Sequence, residues 1–581
     1  MIIKKLSVTN YRILRNVSIS FDGSSNYLVG KNNIGKTSTI ELLSTLMQGQ
    51  NFKNNDFSDP NKPIIADLTF VLSDDEIGIF GDAFSLNNAN EIEIKFEQKN
   101  IEDRLVISHK QSGSEIFPPQ IRKANFIEYT SNIRPLRDND LTENYGEYKL
   151  IPQLVNNYVN NSNPSEVKKT NYDTNLIKFI NTNLKKIQSF NERKITVDFE
   201  MDYADLVTRA LSLTDTNGIA FSHLGYGVQF SSLIPLKIID TIISWTKFHR
   251  LDEHLLTTED GKTQIRIILC IDEPEVHLHP NLQLKMMKYL RKLLNGNDEE
   301  FNSLLKELFQ IDSIQGQLFS VTHSPDILSQ NYHQIERFFI KDNKVSVSSG
   351  SELSFDKAIN KQLERQFPYF AKALFADAVI IVEGDSELSA FPIFADTLNK
   401  SLVDYNVNIV KADGFRSVIP LNNLFKSLDI NTILVVDNDN SDRTWPDGTF
   451  VTTKKDFEYE CFNVMTLEEI NEYLSDFENI INDNPYNGNF WFDLLPDKKS
   501  LILSSKDKLV TVSDILRNTD VDIQKDIKDK IKQSPSKFIK KYLKNKSIIN
   551  GQLIANHIQN VPTVYKNAIE EAVNGNLKAR K

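Results

Sequence analysis

The chain has 581 residues, of which 40% are hydrophobic and 25% are charged, and its formal net charge is −11. This is the composition of an ordinary globular protein, and the length suggests roughly two to four domains. The acidic balance excludes an overall basic field for nucleic acid, although a local basic groove can serve within an acidic chain. Two cysteines cannot form a disulfide framework, and the sequence has no apolar stretch of the roughly 18 residues that a membrane span needs. We therefore expect a cytoplasmic protein with no membrane partner.

The first 40 residues predict two alternating strands, a short buried strand, a loop and a helix. Residues 2–9 and 17–21 alternate, residues 27–30 are apolar, and helical spacing begins at Thr37. Residues 64–72 and 91–98 also alternate, which favours antiparallel pairing. We interpret residues 138–192, rich in Asn, Lys and Tyr with helically spaced apolar positions, as a helical insertion that serves dimerisation.

Farther along, apolar runs and helical periods predict strands at 264–271 and 318–321 and helices at 228–248 and 281–294. After a composition break at 351–361, strand and helix alternate, with strands at 378–382, 407–410 and 432–436. That order predicts a parallel sheet covered by helices. The fold prediction is α/β, with domain segments 1–137, 138–192 (the insertion), 193–355 and 370–581, the last ending in a helical tail.

A phosphate loop lies between the first buried strand and its helix. Gly30-Lys-Asn-Asn-Ile-Gly-Lys-Thr37 matches the eight-residue pattern without a mismatch. The glycines let backbone N–H groups surround phosphates, and the helix presents its positive N-terminus. Lys36 is expected to reach the β- and γ-phosphates, and Thr37 to hold Mg²⁺. The predicted ATP ligands of this loop are Gly30, Asn33, Gly35, Lys36, Thr37 and Ser38.

A second strand, residues 266–271, ends in two acids. Asp272 is placed to hold the metal through water, and Glu273 to polarise the attacking water. His277 and His279 follow, and they suit either a metal pair or, as we prefer, a solvated loop. Another apolar strand precedes His323.

These residues resemble the ABC-type ATPase heads of the RecF, SMC and OLD (overcoming lysogenization defect) kind. The resemblance implies that His323 senses the γ-phosphate. It also implies that Leu224-Gly-Tyr-Gly-Val-Gln229 is the signature segment, in which Gln229 contacts ATP bound on a partner head. The segment departs from the transporter form. A site completed by a partner implies a homo-oligomer, at least a dimer.

Acidic residues also gather after two apolar runs of the second half. Glu383 and Glu387 follow residues 378–382, and Asp437 and Asp439 follow residues 432–436. The C-terminal ends of parallel strands meet at one edge of a sheet, and carboxylates there suit Mg²⁺ or Mn²⁺. Four like charges at close range repel one another unless cations compensate them. The sequence therefore predicts a metal site, of the kind in which two ions about 4 Å apart assist an in-line displacement.

The order of these motifs behind an ATPase head resembles the Toprim domain of OLD nucleases, including Gabija-type and retron-linked defence nucleases. The resemblance implies a further acid at a helix start, Glu468 or Glu469, of which we favour Glu468. It also implies a late catalytic lysine, for which we choose Lys546 among several candidates. The resemblance also implies that Gly414 forms the glycine turn in the middle of the domain and that Arg416 contacts a phosphate of the substrate. The other lysine candidates are Lys537, Lys540, Lys541 and Lys544.

The leading hypothesis is an ATP-regulated, divalent-metal-dependent DNA endonuclease that acts in anti-phage defence. A helicase, or a reverse transcriptase with its RNA and DNA, is the kind of partner that defence relatives suggest. The alternative is a RecF/SMC-type repair ATPase with a non-cleaving Toprim domain, against which the intact Glu383, Asp437 and Asp439 argue. A topoisomerase needs a positioned tyrosine nucleophile, for which the sequence offers no context.

Overall fold

The chain forms two compact units in the computed structural model, Met1–Ser354 and Phe355–Lys581, and each is described by itself. None of the helices within the described residues is long and apolar enough to cross a membrane. The structure describes residues 1–80, 90–130, 150, 154, 174–187, 195–198, 212–215, 217–218, 223–247, 250–276, 278–328, 331–438, 444–482, 525, 529, 532–533 and 547–580.

A five-stranded antiparallel sheet forms one layer of the first unit, in the order β2-β1-β4-β5-β6. Alternate side chains of its strands are buried, as the period-two pattern predicts. The antiparallel strands predicted at residues 64–72 and 91–98 are confirmed, and the structure pairs them with each other, with Leu68 opposite Ile94. The strands are β1 (Ile2–Tyr11), β2 (Leu14–Ser20), β4 (Ile64–Val71), β5 (Glu91–Gln98) and β6 (Val106–His109).

A seven-stranded sheet forms the other layer, in the order β10-β11-β12-β3-β13-β14, with β7 also paired to β11. Strand β3 is central and buried at all six positions, which explains its continuous apolar run. Strands β7, β11, β12, β3 and β13 are parallel, so their C-terminal ends share one edge. The strands are β3 (Ser25–Gly30), β7 (Phe126–Thr130), β10 (Leu256–Thr257), β11 (Thr263–Asp272), β12 (Ser313–Val321), β13 (Ile335–Lys341) and β14 (Lys344–Ser349).

Helix α1 (Lys36–Gln48) packs into one apolar cluster with residues of both sheets, so the phosphate loop is fixed from two sides. The remaining elements of this unit are α2 (Pro118–Arg122), α3 (Thr174–Lys186), β8 (Ile195–Asp198) paired with β9 (Ser212–Asp215), α4 (Tyr226–Lys247), α5 (Pro280–Leu294) and α6 (Glu299–Phe309). Sequence analysis did not predict α6, which Asp298 begins by accepting a hydrogen bond from the Phe301 N–H.

The described helix of the insertion, α3, packs within its own unit. Ile180 and Leu184 are buried, and Lys186 pairs with Glu307 of α6 at 2.8 Å. Tyr289 of α5 donates to the Ile187 carbonyl at 3.3 Å. The apolar face of α3 is thus covered by the same chain, and it gives no support to the predicted dimerisation role. The rest of 138–192, apart from Leu150 and Leu154, lies outside the described residues.

The second unit is built on a parallel sheet in the order β16-β15-β17-β18, as the strand–helix alternation predicts. Strand β15 is central and wholly buried. The elements are α7 (Lys357–Phe370), β15 (Ala378–Val382), α8 (Asp385–Thr397), β16 (Val407–Lys411), α9 (Phe415–Ser427), β17 (Asn431–Val436), β18 (Phe450–Val451), α10 (Phe457–Val464), α11 (Leu467–Asn482), α12 (Ser547–His557) and α13 (Thr563–Arg580).

Both ends of this unit pack onto the sheet. Residues 356–369, left outside the predicted domains, contribute α7, whose Gln366 donates to the Ala412 carbonyl at 3.2 Å. Helices α12 and α13 enter the main apolar cluster, where Tyr565 stacks on Phe394 with ring centroids 5.8 Å apart. The C-terminal helices are therefore structural parts of the domain, not an appended tail.

Candidate functional site

The phosphate loop joins β3 to α1 through backbone that only small or turn-forming residues tolerate. Gly35 has a φ of 102° and Asn33 a φ of 58°, both in the left-handed region. A methyl group added at Gly30 would lie 2.5 Å from the Phe338 carbonyl oxygen, so a neighbouring strand also demands glycine there. Ser38 lies half-buried in the first turn of α1. The loop geometry is that predicted from the motif.

Lys36 is folded back over this loop. Its ammonium donates to the carbonyl oxygens of Gly30 at 2.9 Å and Lys31 at 2.6 Å, and its side chain is buried. Burial lowers the pKa of Lys36 to about 8, although Glu273 and the neighbouring acids oppose the shift. A buried ammonium held by neutral carbonyls is a strong site for phosphate oxygens.

The acids predicted to serve the nucleotide lie at the same sheet edge. Thr37 Oγ1 donates to Asp272 Oδ1 at 3.4 Å, although their positions are far apart in the sequence. Burial raises the pKa of Asp272 to about 6, and the charge of Glu273 adds to the effect. Glu273 has a φ of 50°, a strained value for a residue with a side chain. Its backbone N–H donates to the Val321 carbonyl oxygen at 2.9 Å. Thr37 and Asp272 thus provide adjacent oxygens that suit Mg²⁺.

His323 follows β12 at this edge and is held by Glu275, to which sequence analysis gave no role. The Glu275 carboxylate accepts from the His323 N–H at 2.5 Å and from Thr322 Oγ1 at 2.9 Å. Burial raises the pKa of Glu275 and lowers that of His323, with the charge of Lys36 adding to the histidine shift. The second glutamate of Asp-Glu-Pro-Glu, residues 272–275, was the sequence signal for this positioning residue.

Gln229 and His279, for which the sequence suggested ligand roles, make hydrogen bonds within their own chain. Gln229 is buried, and its amide donates to the Leu224 carbonyl at 2.8 Å, which ties the turn before α4 together. This contact gives Gln229 a role within its own chain and does not support contact with a partner's ATP. His279 accepts from the Asn281 N–H at 3.3 Å as the cap of α5, which supports the loop interpretation. His277 lies outside the described residues.

In the second unit, adjacent parallel strands bring two predicted acids together. Glu383 follows β15 and Asp437 follows β17, and the Asp437 N–H donates to Glu383 Oε1 at 3.2 Å. Glu387 lies in the first turn of α8 and is 5% exposed. Of the four carboxylates predicted to share a metal site, three are therefore neighbours. Asp439 lies outside the described residues.

Burial and neighbouring acids dominate the electrostatics of this edge. Burial raises the pKa of Asp437, and Glu387, Glu383 and further acids add to the effect. Burial likewise raises the pKa of Glu387, and the charges of Glu458 and Glu383 add to the effect, while a hydrogen bond from the backbone opposes it. Asp437 Oδ1 is buried and has no hydrogen-bond partner among the described residues. An unsatisfied carboxylate oxygen beside other acids fits the ligand set of a cation.

The donor set fits Mg²⁺ or Mn²⁺, since every candidate ligand is a carboxylate oxygen. In the described part of the chain, no three His, Cys, Asp or Glu side chains converge closely enough to enclose an ion by themselves. Mg²⁺ needs no such cage, because it keeps several waters and takes one or two carboxylates together with substrate phosphate. The geometry is therefore that of an open site.

The acids predicted at the start of α11 differ in their surroundings. Glu468 is exposed in the first turn of α11. Glu469 is occupied, because its carboxylate accepts from the Thr466 N–H at 2.6 Å and the Gln559 N–H at 2.8 Å. Another acid at a helix start, Glu458 in α10, raises the pKa of both Glu387 and Asp437, as does Asp456, the N-cap of that helix. Lys546 and the other candidate lysines lie outside the described residues.

A paired cation lies near the carboxylate edge. Lys411, at the end of β16, contacts Asp385 and Asp413 at 2.9 Å each. Gly414 has a φ of 94° and donates its N–H to the Glu383 carbonyl at 3.1 Å, so the predicted glycine turn fixes the backbone of Glu383. Arg416 lies over the Phe415 ring, 5.6 Å from its centroid.

The first unit has the geometry of a P-loop ATPase, and the second that of a carboxylate domain of the Toprim type. A family model described as "AAA ATPase domain" matches residues 1–198 and 122–328, which is more than half of the chain. A model described as "Overcoming lysogenization defect protein-like, TOPRIM domain" matches residues 374–439. The chain thus belongs to the AAA ATPase domain family and carries an OLD-like TOPRIM domain behind the ATPase, which confirms the predicted fold and resemblance.

Two relatives with similar sequences agree with this assignment. The chain is 22% identical over 494 residues to "Endonuclease GajA" of Bacillus cereus (strain HuB5-5), covering 71% of this chain and 70% of the relative. It is 22% identical over 519 residues to "Old nuclease" of Escherichia phage P2, covering 80% of this chain and 82% of the relative. The solved C-terminal region of the Burkholderia pseudomallei OLD protein matches 35% of this chain and 99% of its own, at 17% identity and a TM-score of 0.22. The relatives support an ATPase–nuclease family.

Proposed function

We propose that the protein is a divalent-metal-dependent DNA endonuclease whose cleavage is regulated by ATP. The observation that carries the proposal is the contact between Glu383 and Asp437 at the ends of adjacent strands, beside the buried, unpartnered oxygen of Asp437. The charges that raise the pKa of buried Asp437 are all acids, and burying a carboxylate beside other acids is costly unless a cation and its ligands complete the site. The nuclease names of the relatives support the same chemistry.

The proposed metal ligands are Glu383, Glu387, Asp437 and Asp439, with Glu458 in place of Glu468. Bound Mg²⁺ or Mn²⁺ would stabilise the attacking and leaving oxygens of a phosphodiester displacement. The chain itself orients the carboxylates, since the Asp437 N–H holds Glu383 and the turn at Gly414 holds its backbone. A catalytic lysine from the late segment, Lys546 by preference, stays a prediction.

At the other site, we propose that Lys36 and the loop N–H groups bind the phosphates of ATP. Thr37 and Asp272 would hold Mg²⁺, and Glu273 would orient the attacking water. His323, positioned by Glu275, would contact the γ-phosphate. Homo-oligomerisation stays a prediction from the resemblance, because the described contacts of α3 and Gln229 do not support it.

The cleavage experiment compares wild type, Asp437→Ala and Asp404→Ala on supercoiled plasmid with Mn²⁺. Asp404 is an exposed acid of the same unit and serves as the matched control. We expect Asp437→Ala to lose about 10³-fold or more in nicking rate, since a metal supplies several kcal/mol of transition-state stabilisation. Equal nicking by all three proteins would refute the proposal and leave the alternative of a repair ATPase with a non-cleaving Toprim domain.

An anti-phage role, with a helicase or a reverse transcriptase as partner, is proposed from the resemblance to Gabija-type and retron-linked nucleases. The genes beside this one provide the direct test. A neighbouring helicase or reverse transcriptase gene is the expected result, and a neighbourhood of recombination and repair genes would favour the alternative.

A further inference from the structure

A C-terminal helix approaches the helix that carries Glu387 unusually closely. Where α12 crosses α8, a methyl group added at Gly551 would lie 2.1 Å from the Ser386 carbonyl oxygen and 2.3 Å from Ser389 Oγ. The backbone of α12 therefore rests directly on the first turns of α8. This crossing fixes the distance of α12 from the proposed metal site.

The residue before this glycine reaches an acid of the site. Asn550 is fully buried, and its amide nitrogen donates to Glu458 Oε1 at 3.3 Å. Ser386 Oγ donates to the same oxygen at 3.2 Å. A carboxylate oxygen held by two donors from two helices keeps one orientation.

The orientation of the Asn550 amide is itself determined. Buried Tyr473 donates its hydroxyl to Asn550 Oδ1 at 3.1 Å, which turns the amide nitrogen toward Glu458. The opposite orientation would place the amide oxygen against a carboxylate oxygen, which is repulsive. Tyr473, Asn550 and Glu458 thus form a hydrogen-bonded series from α11 through α12 to α10.

We propose that Asn550 is a positioning residue of the nuclease site, which sets the Glu458 carboxylate for the divalent cation. The inference rests on the proposed function, because it assigns Glu458 to that site. It makes α12 part of the catalytic architecture: the helix holds α8 through Gly551 and Glu458 through Asn550. Partners that orient a ligand in this way typically contribute about 10- to 100-fold in metal affinity or activity.

The test compares Asn550→Ala with Asn567→Ala, an exposed asparagine of α13 in the same unit. Mn²⁺ binding is measured directly by the loss of the free-ion electron paramagnetic resonance signal, and plasmid nicking is followed across a Mn²⁺ titration. We expect Asn550→Ala to raise the half-saturating Mn²⁺ concentration about 10-fold or more. KM for plasmid should change little, and Asn567→Ala should match wild type in every measurement.

A double-mutant comparison separates positioning from general destabilisation. If Asn550 acts through Glu458, Asn550→Ala added to Glu458→Gln should cause no further loss. Multiplicative losses would overturn the proposal, as would wild-type Mn²⁺ binding by Asn550→Ala. Should Asn550→Ala fail to fold, Tyr473→Phe keeps the buried ring and removes only the orienting hydroxyl. It should weaken Mn²⁺ binding by about two- to fivefold, in line with one neutral hydrogen bond, and unchanged binding would overturn the proposal.

Wild type and Glu383→Ala are included in the same series. Wild type that binds Mn²⁺ but does not cleave DNA would refute the proposed function, while the binding measurements would still decide the role of Asn550. Wild type that cleaves, together with an unaffected Asn550→Ala, would refute the positioning role alone.

Discussion

The two sites of this protein occupy equivalent places, at the C-terminal edges of parallel strands, yet their electrostatics are opposite. At the nucleotide site a buried Lys36 lies among Asp272, Glu273 and Glu275, so the chain supplies the cation itself. At the carboxylate site, the charges that raise the pKa of Asp437 are all acids. The first site therefore suits an anion, in our proposal the phosphates of ATP with their Mg²⁺, whereas the second suits only cations from solution.

This difference shows how one architecture serves two chemistries. The strand ends converge in both units because the strands are parallel, and the residue that follows each strand decides what is bound. Substitutions at one site should therefore have consequences that are separate from those of substitutions at the other.

The largest effect should come from separating ATP binding from hydrolysis at the first site. Glu273→Gln should slow hydrolysis by about 10²- to 10⁴-fold, the usual contribution of a general base, and leave ATP bound. Lys36→Ala should instead weaken ATP binding by about 10- to 100-fold, since charged hydrogen bonds contribute roughly 1.5–3 kcal/mol. Fluorescent-ATP binding and phosphate release provide the two measurements.

Lys5→Ala, an exposed lysine on β1, is the matched control for the lysine variant. Undiminished ATP affinity in Lys36→Ala would remove the phosphate-loop role. Normal turnover in Glu273→Gln would mean that another residue activates the water.

Coupling between the sites should give a smaller, asymmetric effect. ATP should change plasmid cleavage by about fivefold or more, a modest coupling free energy. Glu383→Ala should leave ATP hydrolysis nearly intact. We expect ATP to restrain cutting, because an uncontrolled DNase would harm its host. Cleavage is measured across an ATP titration at constant free Mg²⁺, with Glu273→Gln separating binding from hydrolysis.

If ATP stimulated plasmid cleavage, the two sites would still be coupled, but with the opposite sign to the one we expect. A flat response in both wild type and Glu273→Gln would show that the two domains are only tethered.

The smallest effect concerns stability without metal. The pKa of Asp437 is raised in the folded chain, so the native state keeps a proton that the unfolded chain loses near its ordinary pKa of 3.8. Because the native state binds more protons, the free energy of unfolding should fall as pH rises above about 4. In the presence of chelator, thermal unfolding should therefore occur at a lower temperature at about pH 8 than at about pH 5. The shift should be about 2–4 °C for each kcal/mol lost from the free energy of unfolding.

Asp437→Asn should remove part of this pH dependence of the unfolding temperature, whereas Asp404→Asn should keep it. Added Mn²⁺ should raise the thermal unfolding midpoint of wild type at about pH 8. A wild-type midpoint that rises with pH in chelator would show that Asp437 is compensated by a group of the chain.

Local patterns predicted most of what lies within a few residues of each motif. The phosphate loop, the strands that end at Asp272, Glu383 and Asp437, and the parallel order of the second sheet were all readable, because apolar runs and glycine spacing are local properties. Local patterns do not reveal which faces pack together. The apolar face of α3 suggested a dimer contact, and the structure covers it within its own unit, so the predicted oligomer stays a prediction.

By itself, the sequence indicated the two proposed chemistries, since Lys36 and the acids after the strands can be read from their order in the chain. Only the tertiary structure indicated which carboxylates lie together. Glu458 and Glu468 both begin helices, and nothing local distinguishes them. We propose Glu458 for the site because Asn550 and Ser386, distant in sequence, converge on it through the crossing of α12 over α8. Such convergence depends on long-range packing, which no local pattern encodes.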